Sequence, residues 1–287
     1  MSTFRSAARS MQELRLSYQQ ALQQFSASSS PFRILETVPS SSSSNRTTPA
    51  VLYVLDSSFN PPTLAHLRIA YFALSTHTGS SPARLLLLLA TQNADKPSKP
   101  ASFEDRLVMM SAFAQDLYER LRESRDSLSI DIGVTKNPYF IDKAAAISST
   151  GSYPQLVEQV HLTGFDTLVR IFDSKYYPPE HTLQPLGPFL SENRLRVTLR
   201  PDDGWGGREE QEAFLSDLAK GARESEGGKR EWADRITLVE GRKEGEDVVS
   251  STKAREAARA QDFDALKKLV TEGVGDWIIS QGLYRDA

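Results

Sequence analysis

The sequence predicts an α/β protein built on a doubly wound, mostly parallel sheet, and three observations carry that reading. From Val51 onward, short β-rich runs alternate with segments of helical periodicity, the order expected of parallel strands joined by helices. Leu85-Leu86-Leu87-Leu88-Leu89 is apolar at every position, which suits a central strand covered on both faces, because a half-exposed strand would alternate. Three shorter helical stretches close the chain after Ser251.

Taken in order, Phe4, Ala7, Ala8, Met11, Leu14, Tyr18, Ala21, Leu22 and Phe25 recur at three- and four-residue steps, the spacing of one apolar helix face. Residues 1–25 therefore read as an amphipathic helix that packs on the domain. Arg5, Arg9 and Arg15 against the single Glu13 leave a second reading open, a mitochondrial transit peptide. Residues 26–49 are rich in Ser, Thr and Pro and read as a flexible connection with a short apolar interruption from Phe32 to Leu35. Residues 50–287 form the domain proper. Strands are predicted at Val51–Leu55, Arg84–Ala90, Leu128–Val134, Val157–Thr163, Arg194–Arg200 and Arg235–Val239. Helices are predicted at Leu64–Ser75, Ser102–Ser124, Phe140–Ile147, Asp166–Phe172 and Arg208–Arg223. Residues 202–232 carry Gly204, Gly206, Gly207, Gly227 and Gly228 around a charged helix and read as a surface insertion.

With 39% hydrophobic and 25% charged residues in 287, the chain can bury a sizeable core. A net charge of -3 supplies no basic surface of the kind a duplex requires, so nucleic acid is not the expected partner. The chain has no cysteine, which excludes disulfides, thiolate nucleophiles and cysteine-ligated metals and suits a reducing compartment. The longest apolar run, Leu85 to Ala90, is too short for a bilayer. A soluble protein of cytoplasm or nucleus, with no membrane partner, is expected, and mitochondria are the alternative if the first helix is a leader.

Polar groups gather where the first domain strand ends. Val51 to Asp56 runs into Ser57-Ser58-Phe59-Asn60-Pro61-Pro62-Thr63, and His66 lies in the helix that follows. The carboxyl edge of an open α/β sheet is where ligands bind, and the amides of a helix start accept an anion there. Thr63 and His66 stand three apart on one helix face, so both can reach one phosphate. Alternatively, Thr63 only caps the helix.

The stretch Ser57 to Leu67 resembles the Gly-Ser-Phe-Asn-Pro-x-Thr-x-x-His-Leu signature of eukaryotic nicotinamide mononucleotide adenylyltransferases, part of the HxGH nucleotidyltransferase superfamily. The resemblance implies a Rossmann-like fold. It also implies that His66 holds ATP phosphate oxygens and stabilises the transition state with Thr63 beside it, that Ser57, Ser58 and Phe59 lie on the ATP side, and that Asn60 faces the acceptor. Ser57 replaces the family glycine and follows Asp56, which sets a side chain where backbone would approach phosphate closely. In this the sequence resembles a divergent fungal branch of the family.

Far along the chain, Val248-Val249-Ser250-Ser251-Thr252-Lys253-Ala254-Arg255 joins an extended apolar pair to a new helix. Such a start offers free amides and hydroxyls, and Arg255 adds a planar fork of donors; a plain N-cap with an exposed arginine is the alternative. The run is similar to the family's Ile-Ser-Ser-Thr-x-x-Arg motif, and Gly275 to Tyr284 resembles its final helix. Ser250, Ser251, Thr252 and Arg255 are thereby implied to hold the ATP polyphosphate.

Thr163-Gly164-Phe165-Asp166 follows another strand, where Asp166 either accepts from ribose hydroxyls or caps a helix. Similar enzymes carry a Gly-x-Asp there, which implies that Gly164 and Asp166 serve the acceptor. The same resemblance implies that Tyr139 or Phe140 stacks on a nicotinamide ring and that Lys96, or Lys99, steers phosphates from a loop that otherwise reads as solvated. His161 reads as a hydrogen-bonded core residue. No spaced His, Asp and Glu form a protein metal site, so magnesium is expected on the ATP phosphates and water.

The implied reaction is in-line attack of the 5′-phosphate of nicotinamide mononucleotide on the α-phosphorus of ATP, giving NAD and pyrophosphate without a covalent intermediate. Catalysis would come from positioning and from donors aimed at the phosphoryl oxygens. His66, Thr63 and Arg255 are the residues expected to do this. Two alternatives stand: another nucleotidyltransferase, such as a cytidylyltransferase, and a nucleotide-binding or ATP-hydrolysing regulatory protein with little transfer activity.

Overall fold

The apolar runs pair into one sheet in the computed structural model, which describes residues 2–40, 49–78, 83–92, 101–123, 128–153, 157–201, 204–241 and 246–285. The strands are β1 (Phe32–Val38), β2 (Val51–Asp56), β3 (Ala83–Ala90), β4 (Ser129–Thr135), β5 (Glu158–Gly164), β6 (Arg194–Thr198) and β7 (Ile236–Val239). They lie in the order β1-β4-β3-β2-β5-β6-β7, and every neighbouring pair is parallel except β1 on β4. The six predicted strands are all present, each within two residues of its predicted bounds.

β3 shows why a run of leucines forms a strand here. Leu85, Leu87 and Leu89 enter the core on one face of the sheet, while Leu86 and Leu88 enter the core on the other. The period of two is intact, and both faces are apolar. The first face is covered by α1 (Ser2–Ala27), α2 (Leu64–Ser75), α3 (Phe103–Leu121) and the C-terminal α8 (Ser251–Arg259), α9 (Phe263–Lys267) and α10 (Glu272–Gln281). On the second face α4 (Phe140–Ser149) covers β2 and β3. α5 (Phe165–Ile171), α6 (Leu186–Glu192) and α7 (Arg208–Ala219) pack around β6. α6 has no counterpart in the sequence reading, because Gly187 and Pro188 sit inside its seven residues and both disfavour helix.

Two expectations about connections change. The segment 26–49, read as flexible, contains β1, which runs antiparallel to β4 from Phe32 opposite Thr135 to Val38 opposite Ile130. Only Phe32 and Val38 of its seven residues are buried, so the alternation that reveals a strand is faint in the sequence. The described part of 202–232 is not a loose surface excursion, because Leu218 and Trp232 are buried in the core around β6.

Helix α1 is fastened to the rest by both apolar and charged contacts. Tyr18 and Phe25 are buried, and Arg15, one of the arginines that suggest a leader, bonds Asp105 at 2.7 Å and Glu104 at 3.1 Å on α3. The Glu36 carboxylate of β1 accepts from Tyr18 Oη and, at 2.8 Å, from Ser111 Oγ, which ties β1 to both helices. Among the described residues no helix is long and apolar enough to cross a membrane.

If this face docks α1, Phe25→Ala lowers the unfolding free energy by about 3 kcal/mol, the scale for truncating a buried aromatic. Leu16→Ala, at a position 55% exposed, changes it by less than about 0.5 kcal/mol. Urea denaturation of both variants checks this, and equal losses would show that the helix is not held by the Tyr18–Phe25 face.

Candidate active site

The chain lays β3 and β4 to one side of β2, then returns to lay β5, β6 and β7 on the other. Loops leaving β2 and β5 therefore diverge at their carboxyl ends, the switch point where open α/β sheets hold ligands. A cavity of about 370 Å³ opens there.

One wall is the turn after β2 and the start of α2. Thr63 is extended, with φ -130° and ψ 171°, and occupies the N-cap. His66 is the third helical residue, and its Nδ1 accepts from the Thr63 backbone N–H at 3.0 Å, with Thr63 Oγ1 2.9 Å away. The lone pair of Nδ1 is thus taken, and burial, with the Arg200 charge nearby, lowers the imidazole to about 4 and keeps it neutral at pH 7. The ring hydrogen must then sit on Nε2, which donates to Ser57 Oγ at 3.0 Å. A helix cap and an N–H donor at the cavity wall are two edges of one ring. Phe59 backs the imidazole, centroids 5.5 Å apart, and is fully buried with φ 43°, a left-handed conformation that a bulky residue adopts only when its surroundings enforce it.

The second sequence motif meets the first directly. Ser251 Oγ donates to the Pro61 carbonyl at 2.8 Å, and Arg255 Nη1 donates to the Asn60 carbonyl at 2.7 Å, 195 positions away in sequence. Arg255 Nη2 also bonds Thr252 Oγ1 at 3.1 Å, while Ser250 caps α8 by accepting from Lys253 N–H.

On β5 and β6 the cavity wall is charged. Asp166 Oδ1 accepts from Arg200 Nη1 at 3.0 Å, and both residues line the cavity. Gly164 is required beneath them, because a Cβ there would lie 2.6 Å from Asp166 Oδ1 and 3.2 Å from Arg200 Cδ. Asp56, ending β2, pairs with Lys143 of α4 at 2.6 Å.

Of the residues the sequence singled out, Ser57, Thr63, His66, Gly164, Asp166, Ser250 and Ser251 line the cavity. The others stand elsewhere. Ser58 and Thr252 are exposed outside it, and Phe59 is core. Asn60 is buried, its Oδ1 accepting from Ala101 N–H at 2.8 Å and Tyr284 Oη at 2.9 Å, so it frames the turn. Arg255 faces that same turn. Tyr139 is 38% exposed at the start of α4, whereas Phe140 beside it lines the cavity. Lys96 and Lys99 lie outside the described residues.

Sequence reasoning passed over Arg200, Arg68 and Thr163, which also line the cavity. Arg200 had a signal, an arginine just after the apolar run Leu195-Arg196-Val197-Thr198-Leu199. His161, read as a core histidine, is buried and bonds Gln159 at 3.0 Å, yet it is also among the residues that line the cavity. Among the described residues no three His, Asp or Glu side chains gather as a metal cluster.

A family model described as Cytidylyltransferase-like matches residues 54–198. A Schizosaccharomyces pombe (strain 972 / ATCC 24843) protein named "Putative nicotinamide mononucleotide adenylyltransferase" is 36% identical over 223 residues, 78% of this chain and 82% of its own. The structure of Plasmodium falciparum nicotinic acid mononucleotide adenylyltransferase complexed with NaAD aligns at TM-score 0.50 with 15% identity, over 82% of this chain and 98% of that one. At that identity the likeness is one of fold.

Burial also lowers the His161 imidazole, to about 3, with Lys143 adding to the effect. A histidine that is neutral when folded and protonates near 6.5 when unfolded stabilises the fold fully above pH 6.5, and that contribution is lost as pH falls toward 3. From pH 6.5 to 5 the loss is up to about 2 kcal/mol for this one group. Urea denaturation at the two pH values should show that part of the slope disappear in His161→Phe; an unchanged slope would mean that His161 is charged in the fold.

Proposed function

Since the chain belongs to the cytidylyltransferase-like nucleotidyltransferases, and among them to the mononucleotide adenylyltransferases, we propose that it transfers the adenylyl group of ATP to nicotinamide mononucleotide. The acceptor's 5′-phosphate oxygen forms a bond to the α-phosphorus as the bond to the β-phosphate oxygen breaks, yielding NAD and pyrophosphate. An ionised phosphate is already nucleophilic at neutral pH, so the chain need not supply a general base.

The observation that carries this reading is the fixed tautomer of His66. Because Thr63 N–H occupies Nδ1, the Nε2–H is held ready beside the carboxyl end of β2, where it can meet an α-phosphoryl oxygen as charge builds there. Ser251 and the amides of the α8 start stand for the departing pyrophosphate, with Arg255 close to them through Thr252. Asp166 stands for the acceptor ribose. Among the described residues three carboxylates line the cavity, Asp56, Asp166 and Asp247, and the first two already hold Lys143 and Arg200. This donor set suits a magnesium ion carried on phosphate oxygens and water, with Asp247 as its available protein contact. When bound, the metal supplies neutralisation of polyphosphate charge.

One observation favours a second reading, nucleotide binding or ATP hydrolysis with little transfer. Ser57 Oγ occupies the Nε2 donor of His66, where the family has glycine. Incubating the protein with ATP or CTP, magnesium and each mononucleotide, then identifying products by mass, separates the readings. A dinucleotide formed from ATP supports adenylyl transfer; ADP with no dinucleotide supports the second reading; a product from CTP alone overturns both.

His66→Asn tests the donor separately from the cap. Asparagine Oδ1 takes the place of Nδ1 and still accepts from Thr63 N–H, but nothing replaces Nε2–H. Turnover should fall by about a hundredfold or more, while stability changes by less than about 1 kcal/mol. Undiminished turnover in the folded variant would remove His66 from the mechanism.

A further inference from the structure

Gln159, His161 and Thr163 alternate along β5 and so face the same side of the sheet, the side covered by α4 and α6. Gln159 is fully buried, and its Nε2 donates to the Ala144 carbonyl at 3.0 Å and to Ser148 Oγ at 2.8 Å. Its amide orientation is therefore set, and Oε1 is the atom 3.0 Å from His161 Nε2. An acceptor at that distance requires the hydrogen to be on Nε2, which leaves Nδ1 as a bare lone pair in the neutral ring. Nδ1 is buried without a hydrogen-bond partner among the described residues, and so is Thr163 Oγ1 two residues further along the strand. Both side chains belong to residues that line the cavity, with Phe140 and Val54 beside them. The His161 ring lies between Phe140 and Phe189, centroids 4.8 and 5.2 Å away. Buried polar atoms are nearly always paired, so two of them on residues that line one cavity point to a ligand that supplies the partners.

We infer that His161 and Thr163 read the base of the acceptor nucleotide and select a primary amide over a carboxylate. The inference rests on the adenylyl-transfer reading and names which mononucleotide that site takes. An amide NH2 donates to the His161 lone pair while its carbonyl accepts from the Thr163 hydroxyl, so both orphaned atoms are matched at once. A carboxylate offers only acceptors and sets an anion against a lone pair. Lys143, the cation near this ring, is already neutralised by Asp56 and does not reverse that preference. The flat apolar flank made by Phe140 and Val54 suits an aromatic ring rather than a polyphosphate. The polyphosphate donors, His66 and the α8 start, come from helices on the opposite face of the sheet. An adenine amino group could in principle make the same donor contact, and the test separates the two sources.

The full chain is titrated calorimetrically with nicotinamide mononucleotide and nicotinate mononucleotide, and with nonhydrolysable analogues of ATP and of ITP, which lacks the amino donor. Wild type should bind the amide at least about tenfold more tightly than the acid, as expected when a mismatch leaves buried polar groups unpaired. Thr163→Val, which keeps the side-chain shape, and His161→Phe, which keeps an aromatic ring between Phe140 and Phe189, should each shrink that ratio below about threefold, mainly by weakening the amide. The ratio of ATP to ITP analogue should not move. Equal binding of the two mononucleotides by wild type, or an amide preference that survives in Thr163→Val, overturns the inference while leaving adenylyl transfer standing. A change confined to the ATP to ITP ratio overturns it as well, by placing adenine on the floor. If neither mononucleotide binds although the ATP analogue does, the proposed acceptor fails and this inference fails with it.

Discussion

The geometry of this site depends on one buried residue that never touches the cavity. Asn60 sits in the turn between β2 and α2, and its Oδ1 accepts from Ala101 N–H, at the approach to α3, and from Tyr284 Oη near the C-terminus. Its carbonyl accepts from Arg255 on α8. Three parts of the chain that share no sequence neighbourhood are thereby fixed to the turn that carries His66. A buried amide oxygen left without these donors would cost about 1–3 kcal/mol, so the contacts form together or the turn does not hold this shape. Through them the two sequence motifs keep a constant separation, and this is the kind of order that positioning catalysis needs.

A second brace acts on the opposite wall. Gln211 of α7 is fully buried and binds the backbone of Arg200 on both sides, accepting from its N–H and donating to its carbonyl at 2.9 Å each, with a further bond to the Gly206 carbonyl. The segment that reads as an insertion thus holds in place the chain that presents the arginine facing Asp166. Gly164 completes the arrangement by leaving room for the carboxylate above the end of β5. Charge, backbone brace and missing side chain are three separate requirements for one ion pair.

Much of this was legible in the residues themselves. The six parallel strands were visible because each carries β-forming apolar residues, unbroken from Val51 to Leu55 and from Leu85 to Ala90 and alternating with polar ones in β5 and β6, and the two motifs were visible because each places hydroxyls with a histidine or an arginine at a helix start. β1 was obscured because five of its seven residues are only partly buried and its flanks are serine-rich. The role of Asn60 was not readable, since its partners lie 41 and 224 positions away and no local pattern announces them. Arg200 was read as the end of a strand; its place at the cavity depends on α7, whose bonds to the Arg200 backbone come from a lone glutamine in a charged helix. Local patterns disclose which elements form, whereas long-range hydrogen bonds decide which side chains reach the cavity.

The two histidines at this cavity show how far that decision goes. Burial lowers both imidazoles and keeps them neutral at pH 7, and in each the partner of one nitrogen fixes the tautomer. For His66 the partner is a donor, the Thr63 N–H, so the other edge carries a hydrogen, which Ser57 Oγ accepts. For His161 the partner is an acceptor, Gln159 Oε1, so the free edge presents a lone pair. The same side chain therefore offers opposite polarity at two places on one cavity. A single backbone N–H and a single amide oxygen set that difference. In the proposed reaction, a nucleotide entering between them would meet a hydrogen at its phosphate oxygens and a lone pair at its base. The polarity that each ring turns toward the cavity is then set by the hydrogen bond on its other edge.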